Sequence, residues 1–99
     1  MTKHTPGPWV ARAGKGAIWR AAVDGPTGDP VCVVHDYDGT DHAANAHLIA
    51  AAPDLMAACE AFVEAEHAAI LDGQRAFSMY VDAIDEAKAA IAKAMGEKP

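Results

Sequence analysis

Asn45-Ala46-His47-Leu48-Ile49-Ala50-Ala51-Ala52-Pro53-Asp54-Leu55-Met56-Ala57-Ala58-Cys59-Glu60-Ala61-Phe62 is the stretch whose reading decides the fold. Leu48, Ala52, Leu55, Met56, Cys59, Phe62, Val63 and Ile70 recur in steps of three and four, which makes one apolar stripe on a helix. Glu60, Glu64 and His67 fall away from that stripe. Pro53 interrupts the run, because proline lacks an N–H and pushes its predecessor out of helical geometry. It also suits the first position of a new helix, where Asp54 favours the positive end of the helix dipole. The spacing therefore predicts helices over 42–51 and 53–71 with a bend between them. Thr40 or Asp41 is a candidate cap for the first. The many alanines let another backbone approach closely.

Downstream, Gly73 is expected to end the long helix, with Asp72 and Gln74 in the turn. Phe77, Tyr80, Val81, Ile84, Ala87, Ile91 and Met95 then give a stripe for a last helix over 75–95, and Gly96 suits its C-terminal cap. Two long helices joined by a short turn make an antiparallel hairpin. Upstream, Thr5-Pro6-Gly7-Pro8 reads as rigid and extended. Strands are expected over 9–13, 17–23 and 31–35, separated by turns at Gly14-Lys15-Gly16 and at 24–30. The third strand, nearly all apolar, is expected to be central or covered on both faces. The sum is an α+β domain spanning 1–99: a small N-terminal antiparallel sheet of about three strands, a kinked helix, and a second antiparallel helix.

At 99 residues this is one small domain, and a chain of that size buries roughly 60–65% of its unfolded surface. A three-stranded meander with one helical hairpin leaves sheet edges and flat alanine faces open, so a homo-oligomer, a dimer or higher, is expected. The net charge is −6, unevenly spread. Residues 1–23 hold Lys3, Arg12, Lys15 and Arg20 and no acid, whereas His42 onward holds nine acids against four bases. Such a balance argues against wrapping a nucleic-acid backbone. It leaves room for a small anionic ligand beside the basic strands. Cys32 and Cys59 sit among apolar neighbours and read as reduced, buried thiols. With no apolar leader and no membrane-length apolar run, the expected setting is cytoplasmic, without a membrane partner.

The side chains that could carry chemistry are few. His35, Asp36, Asp38, Asp41, His42 and His47 suggest a metal site or a small hydrolase. The calcium-loop pattern fails, and the two last histidines fall on different helix faces, so a polar turn with a helix cap is the better reading and no metal is assigned. Gly14-Lys15-Gly16 lacks the phosphate-loop and dinucleotide patterns. Arg12 and Arg20 can grip phosphate in forked geometry, with Lys15 at the turn between them. Trp19 offers an aromatic face, as either an anchor or a stacking platform. Asn45, in the first turn of its helix, can cap, pair between subunits or read a ligand edge. Ser78 has no glycine elbow and neither cysteine has a basic neighbour. The chain is read as non-enzymatic, with no cofactor.

His4-Thr5-Pro6-Gly7-Pro8-Trp9 and Ala44-Asn45-Ala46-His47-Leu48-Ile49-Ala50-Ala51-Ala52-Pro53-Asp54-Leu55 resemble a pattern common in small bacteriophage and prophage proteins. The layout is also similar to that of phage anti-Thoeris sponge proteins, whose relatives take up cyclic oligonucleotide signals. That resemblance implies an oligomer that binds a nucleotide-derived host immune signal without turnover, at sites between subunits. Arg12, Lys15 and Arg20 would supply charge, Asn45 and an aromatic such as Trp19 would supply shape, and His47 is a further candidate ligand contact. His47 stands where the phage motif often has arginine. The alternative is a phage inhibitor that meets a host or defence protein through its acidic helices.

Overall fold

The computed structural model describes residues 4–13, 21–34 and 42–97. The order of elements is β1 (Val10–Ala13), β2 (Ala21–Asp24), β3 (Pro30–Val34), α1 (His42–Ala50), α2 (Ala52–Leu71) and α3 (Gly73–Ala94). The α+β arrangement expected from the sequence is the one found. The strands form an antiparallel meander in the order β1-β2-β3. Ala11 faces Val23, Val23 faces Cys32, and an irregularity follows at Val23/Asp24. The β2–β3 turn closes with the Gly25 N–H donating to the Asp29 carbonyl, and Gly28 takes φ +85°, a conformation open to glycine at little cost. The third strand is an edge, contrary to expectation, and Val33 lies exposed on it. An apolar run reads as central, but among the described residues this strand pairs on one side only, and α1 lies against the face that carries Val34.

Ala46 and Ala50 of α1 pack on Val23 and Val34, with Trp9, Ala11, Cys32 and Ile49 around them. Trp9 also donates its indole N–H to the Thr5 carbonyl at 3.1 Å. The bend between α1 and α2 is 43°. Pro53, in the first turn of α2, cannot donate to the Ile49 carbonyl, so the helix breaks where the sequence predicts. Among the described residues no single helix is long and apolar enough to cross a membrane, although the bent pair α1–α2 together reaches that composition.

The strands contact α1, and α2 and α3 contact each other and α1. The hairpin therefore projects from the small sheet. Extents of 55 × 27 × 21 Å and a radius of gyration of 16.3 Å exceed the ~13 Å of a compact domain this size. One residue joins the two long helices. Asp72, extended at φ −155°, closes α2 through its N–H and caps α3 through its carboxylate, which accepts from the N–H groups of Gln74 and Arg75. Gly73 thus opens α3 instead of ending α2, because the aspartate cap outweighs the glycine signal. Gly96, at φ +79°, ends α3 as predicted. Its N–H donates to Lys93 and that of Glu97 to Ala92, the paired bonds of a Schellman cap.

Candidate functional site

The hairpin is built on alanine. Ala51, Ala58 and Ala65 of the first limb and Ala76, Ala83 and Ala90 of α3 are buried, each set at seven-residue spacing. Small residues at every seam position let the helices approach at the short end of the usual ~8–10 Å range. Most of the larger side chains of the apolar stripes stay out of this contact, contrary to the expected packing, although Phe62 and Tyr80 meet beside it. With the seam as zero, Ala52, Met56, Cys59, Val63 and Ile70 lie about 100–160° around α2, and Phe77, Val81, Ile84, Ile91 and Met95 about 80–160° around α3. In antiparallel helices equal rotations lead to the same face. Two contacts mark that face: the Phe62 and Tyr80 rings, 6.4 Å apart, and the Tyr80 hydroxyl donating to Glu66 at 2.6 Å. This bond keeps the tyrosine protonated to higher pH than usual. Val63, Ile70 and Phe77 are 70, 78 and 73% exposed. Cys59 is exposed as well, so only Cys32, half-buried, approaches the expected buried thiol.

The opposite face is polar. The Asp54–Lys93 ion pair, 2.8 Å long, crosses it. Glu64, Asp82 and Glu86 fall on that side by the same helical count, while Glu60 and Asp85 point outward from the two limbs. Near the tip, an open groove of about 440 Å3 is lined by Val63, His67, Leu71, Arg75 and Met79, among others. Its wall is largely apolar with Glu64 and Asp72 beside it, a poor match to an anionic ligand.

Of the residues predicted to bind a ligand, Arg12, Asn45 and His47 are among the described residues, and these three lie apart. Arg12 holds Asp24 in a fork, Nε–H to Oδ2 at 2.7 Å and the terminal nitrogen to Oδ1 at 3.2 Å. The bond raises the arginine and lowers the carboxyl from its ordinary range. Ala11 faces α1, so Arg12, next along the strand, points to the other face of the sheet. Asn45 is exposed on α1, on the far side from Arg12. His47 is half-buried at the end of α3, where a side chain added at Gly96 would meet its ring at 2.9 Å. The ring therefore lies close against the glycine that ends α3. Lys15, Trp19 and Arg20, like the capping residues Thr40 and Asp41 and the His35–Asp38 cluster, lie outside the described residues. Among the described residues no three metal-binding side chains come together. What residue-by-residue reasoning passed over is the two-faced hairpin; the signal was the seven-residue spacing of the alanines.

No curated protein and no solved structure gives a significant match. A family does: residues 1–98 match that described as Salmonella phage P22 protein Y8K6. The match spans the sheet, the bend and both limbs of the hairpin, in keeping with the expected phage origin. The chain belongs to the Salmonella phage P22 protein Y8K6 family.

Proposed function

We propose that this phage accessory protein acts by binding and not by turnover, and that its target is a basic surface on a host or defence protein. One observation carries the reading: the hairpin puts Glu64, Asp82 and Glu86 on one side, with Glu60 and Asp85 along its outer edges. Carboxylates spread along two rigid helices present a negative surface that complements a basic one and steers its approach. The test is co-purification from host cells with wild type and with Glu64→Lys/Asp82→Lys/Glu86→Lys. A single host protein retained by wild type and lost by the variant supports the reading. Equal retention by both overturns it.

A second reading is favoured by the four bases, with no acid among them, in residues 1–23 and by the resemblance to phage sponges. In it the protein sequesters a cyclic nucleotide-derived signal. Because Arg12 and Asn45 lie on opposite sides of the sheet, such a ligand would bridge subunits, with Lys15, Trp19, Arg20 and His47 completing its surroundings. A ligand at a hundred times its dissociation constant adds about 2.7 kcal/mol to folding stability. Thermal unfolding against cyclic nucleotides and cyclic ADP-ribose isomers tests this directly. A shift abolished by Arg12→Ala/Arg20→Ala favours sequestration, and no shift leaves protein contact as the function.

A further inference from the structure

We propose that two copies of this chain pair through the exposed apolar face of the hairpin, as an antiparallel four-helix bundle. Ala52, Met56, Cys59, Val63, Glu66 and Ile70 follow one another in steps of four, three, four, three and four. Phe77, Val81, Ile84, Lys88, Ile91 and Met95 do the same. This is the seam pattern of a helical bundle, and it is separate from the alanine seam that closes the hairpin itself. Val63, Ile70, Phe77 and Met95 are each more than two-thirds exposed, an apolar surface of the kind a standard interface covers at roughly 800 Å2 per partner. Among the described residues, by contrast, the largest fully buried side chain is Val23. A core this small is characteristic of domains that need a partner.

The occupant is a second copy because each seam has one charge, and the two charges are opposite. Glu66 lies six residues before the tip at Asp72, about 9 Å along the helix, and Lys88 sixteen residues after it, about 24 Å. Their sum, about 33 Å, equals the length of α3 with its 22 residues. Two hairpins that overlap fully and run in opposite directions therefore set Glu66 at the height of Lys88 of the partner subunit, twice by symmetry. Hairpins running the same way set each charge level with its like. A charged residue at a seam position fixes register and orientation in this manner.

Sedimentation equilibrium on the full chain, from about 1 to about 100 µM, reads the outcome. The expected species is a dimer of twice 10.3 kDa. Ile84→Glu is expected to be monomeric with its helical circular dichroism retained. Glu66→Lys and Lys88→Glu should each weaken association about tenfold, and the double variant should recover it. The swap at Glu66 also loses the Tyr80 bond, but the double variant shares that loss, so recovery reports the charges. Should Ile84→Glu fail to fold, the unaltered protein gives the answer: labelling of the Cys59 thiol slows as concentration rises. A wild-type monomer at about 100 µM, a dimer indifferent to Ile84→Glu, or a labelling rate independent of concentration overturns the interface. Additive losses in the double variant overturn the antiparallel register. A monomer that binds phosphatidylcholine/phosphatidylglycerol vesicles assigns the face to lipid instead.

Discussion

Arg12 was legible in sequence as a strand residue able to fork onto an anion. The anion it holds is its neighbour Asp24, brought within reach by the β1–β2 register. No spacing rule singles out that partner, because register depends on turn geometry, which residue spacing alone does not give. The pairing has a measurable sign. The guanidinium's hydrogen bond holds the Asp24 carboxyl below its ordinary value, against the opposing effect of desolvation. Its contribution is therefore present above about pH 4, the unperturbed aspartate value. It is lost as pH falls through the lowered folded value. Titration of the carboxyl carbon by NMR should give a midpoint for Asp24 lower in wild type than in Arg12→Ala. Equal midpoints would show that the fork does not persist in solution. His47 shows the same limit: sequence placed it on the helix motif, but its ring faces Gly96, 49 positions later in the chain.

At the scale of elements, most of what could be read concerned where helices begin and break. Pro53 broke the long helix and Gly96 ended the last, because each acts through its own backbone. The choice between two competing seams was not legible. Periodicity identifies an apolar face without identifying what covers it, and alanine scores weakly beside Ile, Phe and Val. The packing nonetheless selects alanine, so volume at the seam is the controlling variable. Ala83→Leu, at a fully buried position, should cost about 1–3 kcal/mol by overpacking. Ala89→Leu, exposed on the same helix, should change stability by no more than about 0.5 kcal/mol. Urea unfolding of the two variants separates the cases. Equal, small effects would mean that the helices are not in alanine contact.

For the whole molecule, shape and core size point the same way. A chain with its hairpin projecting along a 55 Å axis exposes Ile70, Phe77, Ile91 and Met95 to solvent, an arrangement that gains little from the hydrophobic effect in isolation. If the second copy supplies the missing half of the core, folding and association are one equilibrium, and stability depends on protomer concentration. A tenfold rise in concentration adds about 1.4 kcal/mol per dimer. For chains of this length that corresponds to a thermal midpoint higher by about 3–4 °C. Scanning calorimetry on unmodified protein over two decades of concentration should show that slope, and Ile84→Glu should remove it. A midpoint that stays constant would mean that the alanine seam and the small sheet hold the fold by themselves, leaving the apolar face uncoupled from folding.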